Sequence, residues 1–250
     1  MKLDGKVAIV TGSSRGIGKA IALGFAEEGA DVVVAARTEV EREEMPGTIY
    51  RTAEEIQALG RRALPIKCDV TSEQSVNDLV RKTLEQFGRI DVLVNNAGIA
   101  YYFPVAETPL KRWELVLRVN LIGAFLCARA VLPAMIERRA GSIINITSRA
   151  GERRPSPTGV AYAVAKAGLD RFTWGLAVEV GRHNIAVNAL KPIEIVSTEG
   201  MRFWLADTDK SKWRSPEMMV KAAIFLAAQD AGSTTGVVAY DEELCICHGL

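Results

Sequence analysis

Tyr162 and Lys166 stand four residues apart in Ala161-Tyr162-Ala163-Val164-Ala165-Lys166, which on a helix puts both side chains on one face. A free tyrosine titrates near about pH 10 and is a poor base at neutrality. An ammonium about 4 Å away, at an effective dielectric of about 20, favours the phenolate by about 4 kcal/mol, or roughly 3 pKa units. Such a pair can exchange protons near neutral pH, where acid–base catalysis works best. Ser148 lies 14 residues before Tyr162, and its hydroxyl could hold a substrate oxygen as an oxyanion-type donor does. Asn120 sits in the helical stretch Arg118-Val119-Asn120-Leu121, where asparagine is a middling helix former. Each residue also has a plain reading: surface packing for Tyr-x3-Lys, a cap for the serine, a helix boundary or surface amide for the asparagine.

A second cluster could hold phosphate. Thr11-Gly12-Ser13-Ser14-Arg15-Gly16-Ile17-Gly18 follows a strand-like run and opens a helix. Its glycines allow a tight turn and close backbone approach to a pyrophosphate, and the helix start offers free N–H groups and a positive dipole end. The spacing is Gly-x3-Gly-x-Gly rather than the common GxGxxG. At the end of the second strand, where an NAD site usually carries a carboxylate for the ribose 2′-OH, the chain reads Ala36-Arg37. Arg37 with Arg15 would suit a 2′-phosphate, which needs forked charge-assisted donors. NADP(H) is therefore expected, with NAD(H) second.

The elements that must position these residues follow from hydrophobic period. Short apolar runs at Lys6–Thr11, Asp31–Ala36, Arg61–Cys68, Ile90–Val94, Ser142–Thr147, Ile185–Leu190 and Gly236–Tyr240 read as strands. Helical stripes lie between them: Ile17 to Phe25, Val76 to Phe87, about Leu110–Arg139 with Pro133 kinking or ending part of it, about Tyr162–Gly181, and Pro216–Ala228. Near-continuous apolar strands alternating with helices mean a mostly parallel, doubly wound α/β sheet covered on both faces, three layers in a single domain over 1–250. Ligands in such sheets bind beyond the carboxyl ends of the strands, where both clusters lie. Two segments break the rhythm: an insertion at Thr38–Tyr50, and a long loop at Pro192–Ser215 carrying Met201, Phe203, Trp204, Leu205 and Trp213, expected to be functional.

Composition narrows the classes. The 250 residues carry 31 Lys+Arg against 30 Asp+Glu, a net charge of +1, so no basic nucleic-acid footprint or polybasic membrane patch is expected. No uninterrupted apolar run reaches the roughly 18–20 residues of a membrane span, the charged start is unlike a signal peptide, and four cysteines are too few for a disulfide framework. A reducing cytoplasm is the default. Cys245, Cys247 and His248 fall short of the four ligands of a structural zinc site, so no metal is expected. Arg149, Arg153 and Arg154 read as a solvated loop or subunit contact. Tyr101-Tyr102-Phe103-Pro104 and the loop aromatics suit an apolar substrate pocket or an oligomer interface equally.

Taken together, Thr11–Gly18, Asn95–Gly98, Asn120, Ser148 and Tyr162-x3-Lys166 resemble the short-chain dehydrogenase/reductase superfamily, in its single-domain branch of about 250 residues. The resemblance covers roughly residues 4–190. It implies a Rossmann-type sheet, Tyr162 as general acid/base, Lys166 holding the nicotinamide ribose and lowering the phenol's pKa, Ser148 positioning the carbonyl, and Asn120 anchoring a water in a proton relay. Along the cofactor it implies Gly12, Ser14, Ile17 and Gly18 at the phosphate turn, Arg15 with Arg37 in the family's NADP-preferring pattern, Asp69 and Val70 at adenine, Asn96, Ala97 and Gly98 lining the cleft, and Pro192 and Ile195 beyond the sixth strand. The insertion with Pro46-Gly47-Thr48-Ile49 resembles a subgroup of bacterial and hydroxysteroid-dehydrogenase-like members. Where many members have Pro-Gly after the sixth strand, this chain has Lys191-Pro192-Ile193, and the hydroxyl that meets the nicotinamide carboxamide is Ser197 or Thr198.

The expected protein is thus an NADPH-dependent oxidoreductase interconverting an apolar ketone or aldehyde and its alcohol. It would work as a homodimer or homotetramer through the helices around 110–139 and 158–181. The competing readings are an NAD-dependent alcohol dehydrogenase and a non-catalytic NADP(H)-binding sensor.

Overall fold

The computed structural model describes residues 1–152, 158–205 and 207–250, the side chain of Trp204 excepted. Arg153 and Arg154, two of the three arginines singled out in the sequence, lie outside the described residues.

Seven parallel strands form one sheet in the order β3-β2-β1-β4-β5-β6-β7. They are β1 (Val7–Thr11), β2 (Asp31–Ala36), β3 (Ala63–Lys67), β4 (Val92–Asn95), β5 (Gly141–Ile146), β6 (Ile185–Lys191) and β7 (Val238–Tyr240). The order runs outward in both directions from β1 and β4, which places the cleft of a doubly wound sheet at their carboxyl ends. Alternation along each strand feeds two cores. Ala8, Val10, Val32 and Val34 face Ile21 and Phe25 of α1 (Gly16–Glu27) and Met219 and Leu226 of α8 (Glu217–Ala227). Val7, Ile9, Val33 and Ala35 face Leu79 of α3 (Glu73–Phe87), Val131 of α5 (Gly123–Arg138) and Leu176 of α6 (Val160–Val180).

Local signals set most boundaries. Ser72 caps α3 by accepting from the Ser75 N–H, and Gly88 ends it at φ 71°, the left-handed turn that glycine adopts most easily. Thr48 caps α2 (Ile49–Ala58) in the same way, accepting from Arg51. This helix was not evident in the sequence, and its first residues close the Thr38–Tyr50 insertion. The long loop holds a short helix, α7 (Glu199–Trp204), and the tail after β7 is helical as α9 (Asp241–His248).

The stretch from α4 (Leu110–Leu117) to α5 is continuous. A π-helical turn at Arg118–Ile122 joins the two, and Pro133 lies inside α5 without ending it. Leu110–Arg138 is therefore one apolar helix of 29 residues, long and apolar enough by length and composition to cross a membrane. The sequence reading placed this helix at about Leu110–Arg139 but found no apolar run of membrane length, because isolated arginines and the proline interrupt it. Half of its most apolar window is buried in the fold, as a helix packed on a sheet requires.

Candidate active site

α6 presents Tyr162 and Lys166 on its inner face. The Lys166 Nζ lies 5.6 Å from the centre of the Tyr162 ring and donates to the Ile146 carbonyl at the end of β5, 2.8 Å away. Ser148, two residues beyond β5, hydrogen-bonds the phenol and also caps a 3-10 turn at Arg149–Gly151 by accepting from the Ala150 N–H at 3.2 Å. Asn120 sits in the π-helical turn and is buried. Its amide donates to the Ile99 carbonyl at 2.7 Å and the Val116 carbonyl at 2.9 Å, while its Oδ1 meets no partner among the described residues. The widened turn is what lets a polar side chain leave the helix here; such turns recur at functional sites.

The electrostatics depart from expectation at one point. Burial pushes the Tyr162 phenol up to about 12, the neighbouring Tyr102 adds to this, and the Ser148 hydrogen bond acts downward. Lys166 does not hold the phenol down, because its ammonium sits over the ring and spends a hydrogen on Ile146 rather than on the hydroxyl. Burial brings Lys166 itself down to about 8, with Asp170 acting against the fall.

The phosphate turn lies beside this group. Gly12 has φ +67°, and a Cβ there would stand 2.8 Å from the Ala97 Cα; a Cβ on Gly18 would stand 2.3 Å from the Asn96 amide and 2.6 Å from the Gly12 carbonyl. Ile17 is the second residue of α1, between Gly16 and Gly18, and Ser14 is buried. α1 has no side-chain cap at Arg15. Instead the Glu199 carboxylate, from α7, accepts from the Gly16 N–H at 2.9 Å. Arg15 turns to the insertion, donating to the Pro46 and Gly47 carbonyls at 3.1 and 2.9 Å, which removes it from the expected partnership with Arg37. Arg37 is exposed at the end of β2. Burial favours a high pKa for the Asp69 carboxyl, but hydrogen bonds from Thr71 and the field of Arg37 outweigh it and hold it low.

The other expected cofactor residues divide. A Cβ on Gly98 would lie 2.8 Å from the Asn120 Oδ1 and 3.7 Å from the Lys166 Nζ, so this glycine keeps open the space between them. Asn96 spends its amide on the Thr11 and Gly12 carbonyls at 2.9 and 3.2 Å and ties the ends of β1 and β4 together. Val70 packs on Gly123. Pro192 is half-buried, and the Ile195 carbonyl accepts from Arg214 at 2.9 Å, closing the long loop on itself. Thr198 caps α7, whereas Ser197 accepts from Arg202. The crowded glycines, the start of α1 and the unpaired Asn120 oxygen fit a nicotinamide dinucleotide laid across the strand ends.

Residues 6–208 match the model of the short chain dehydrogenase family. The chain belongs to this family. Hydroxysteroid dehydrogenase-like protein 2 of Danio rerio is 38% identical over all of the chain, which spans 60% of that longer protein. The (2S)-[(R)-hydroxy(phenyl)methyl]succinyl-CoA dehydrogenase subunit BbsD of Thauera aromatica is 36% identical, with 96% of each chain covered. A short chain dehydrogenase from Mycobacterium thermoresistibile superposes with a TM-score of 0.90 at 33% identity, covering 99% of this chain and 89% of that one.

In this short-chain dehydrogenase the aromatic run that the sequence offered as pocket or interface falls beside the phenol, and one further residue, Glu199, was not foreseen. Tyr102 packs against Tyr162, with ring centres 6.2 Å apart, and Tyr101 stacks on Phe103 at 4.5 Å, so this aromatic run stands at the mouth beside the phenol. Glu199 at the phosphate turn had no signal beyond its place in the long loop. The tail packs: His248 stacks on Phe225 at 4.1 Å and the Cys245 thiol meets the Met218 carbonyl at 3.7 Å.

Proposed function

We propose that this dehydrogenase is an NADPH-dependent carbonyl reductase, reversible as an alcohol dehydrogenase. The observation that carries the reading is the convergence of Tyr162, Ser148 and Lys166 at the strand ends beside the phosphate turn. A bound nicotinamide supplies or accepts the hydride. Tyr162 gives a proton to the developing alkoxide in reduction and takes one in oxidation. Its high pKa in this structure suits the donor role. Ser148, already on the phenol, aligns the substrate oxygen with it. Lys166, whose ammonium lies over the Tyr162 ring, would hold a ribose hydroxyl. The open Asn120 oxygen holds a water that links Lys166 to solvent. The aromatic run Tyr101–Phe103 favours an apolar substrate. The relatives' names, one for hydroxysteroids and one for a hydroxy(phenyl)methyl compound, support alcohol–carbonyl chemistry.

Arg37 supports NADPH, because no carboxylate stands in its place. The NAD-dependent reading gains from Arg15, whose donors are taken by the insertion. A panel of ketones and aldehydes assayed with NADPH and with NADH tests both. NADPH should be preferred and Arg37→Asp should reverse the preference. An unchanged preference in that variant removes Arg37 as the selector, and NADPH binding with no turnover on any carbonyl compound overturns the enzymatic reading.

A further inference from the structure

Lys191, the last residue of β6, is one of the most buried charges among the described residues, at 4% exposure. An ammonium is buried only when paired, and its pairing draws three segments together. Its Nζ lies 2.9 Å from Glu152 Oε1 and 3.6 Å from Asp170 Oδ2. It also lies 5.2 Å from the centre of the Tyr240 ring, and the Tyr240 hydroxyl donates to the same Glu152 oxygen at 2.6 Å.

Each partner leads back to the active site. Asp170 is one helical turn beyond Lys166, as Lys166 is beyond Tyr162, so the three share one face of α6. Glu152 ends the 3-10 turn that Ser148 begins. That turn lies directly on α6: a Cβ on Gly151 would stand 2.8 Å from the Ala167 nitrogen and 2.9 Å from the Lys166 carbonyl carbon. Lys191 thus pulls the Ser148 segment, through Glu152, toward the helix that carries the phenol, through Asp170. None of these three groups reaches the reacting atoms.

We propose that Lys191 is a positioning residue: paired with Glu152 and Asp170, it holds the Ser148 hydroxyl in register with Tyr162. The proposal rests on the carbonyl-reductase reading for its kinetic readout but not for its structural one.

The test uses the full chain with NADPH bound. Glu152→Gln keeps Lys191 on Asp170 but weakens the clamp. Lys191→Met/Glu152→Gln removes the clamp and strands one fewer charge than Lys191→Met alone. Hydrogen–deuterium exchange should quicken in peptides covering 146–152 and stay unchanged in those covering the phosphate turn. In the same proteins kcat should fall roughly tenfold or more, since a small misplacement of a reacting group is costly, while the NADPH Kd stays within about twofold. A merely structural ion pair predicts a lower melting temperature with kcat and local exchange untouched, and that result overturns the proposal, as does recovery of wild-type kcat in the double variant. A wild-type protein silent on every carbonyl compound removes the carbonyl-reductase reading, and the exchange data then decide the clamp alone.

Discussion

Glu199 puts a carboxylate on the Gly16 N–H, at the helix end whose dipole and free donors suit a pyrophosphate. Two anions near one helix start repel. Glu199→Gln should therefore bind NADPH roughly two- to tenfold more tightly, the range expected for one charge at a helix terminus. Titration of nicotinamide fluorescence checks this, and equal or weaker binding refutes it. Lys166 carries a pH prediction. Its folded pKa of about 8 is depressed below the ordinary 10.5, so between these values the unfolded chain binds the extra proton and the fold gains stability as pH rises. Below pH 8 the cost of the buried ammonium is fully present. The melting temperature of the wild type relative to Lys166→Met should then improve from pH 8 to 10.5; a flat difference contradicts it. Tyr162, Lys166, Ser148 and Asn120 were legible because residue type and spacing are written in the chain. The sign of the phenol's shift was not, because it depends on burial and on where one ammonium points.

At the scale of elements, alternating apolar runs gave all seven strands within a few residues. β7 starts at Val238 rather than Gly236, since Gly236 has φ +74°, outside the strand region. α2 was hidden behind Pro46-Gly47, which reads as a turn although Thr48 is a cap. α7 is one turn inside an irregular loop, too short for a periodic signal. The π-helical turn cannot be read from period at all, because its extra residue is set by tertiary packing, here the burial of Asn120 with its amide on the Ile99 carbonyl. Gly18 shows how tightly the first element pair is fitted. Gly18→Ala would drive a Cβ into the Asn96 amide and the Gly12 carbonyl, so it should lower the melting temperature by several degrees, a cost of about 1–3 kcal/mol for overpacking, and weaken NADPH binding. A variant with wild-type melting and affinity would show that the turn has slack.

Across the whole molecule, the outer faces of the long helix pair and α6 leave large apolar side chains in solvent. Val178 is 85% exposed, Trp174 47% and Phe125 43%. Exposed apolar side chains of this size are where a homo-oligomer, as proposed from the family, would form its contact. Val178→Asp with Trp174→Glu should lower the sedimentation coefficient toward that of a 27.1 kDa monomer without loss of fold. A wild type that already sediments as a monomer removes this interface. The order of the sheet decides the rest, since β1 and β4 bring the phosphate turn to the same edge as the phenol, the lysine and the serine.

The most direct measurement compares wild type with Tyr162→Phe for NADPH binding and for carbonyl reduction. The expected result is binding within about twofold and turnover lower by roughly 10²–10⁴, the contribution of a positioned proton donor. Tyr162→Phe reducing a carbonyl compound at the wild-type rate would contradict the assignment of the proton to this phenol.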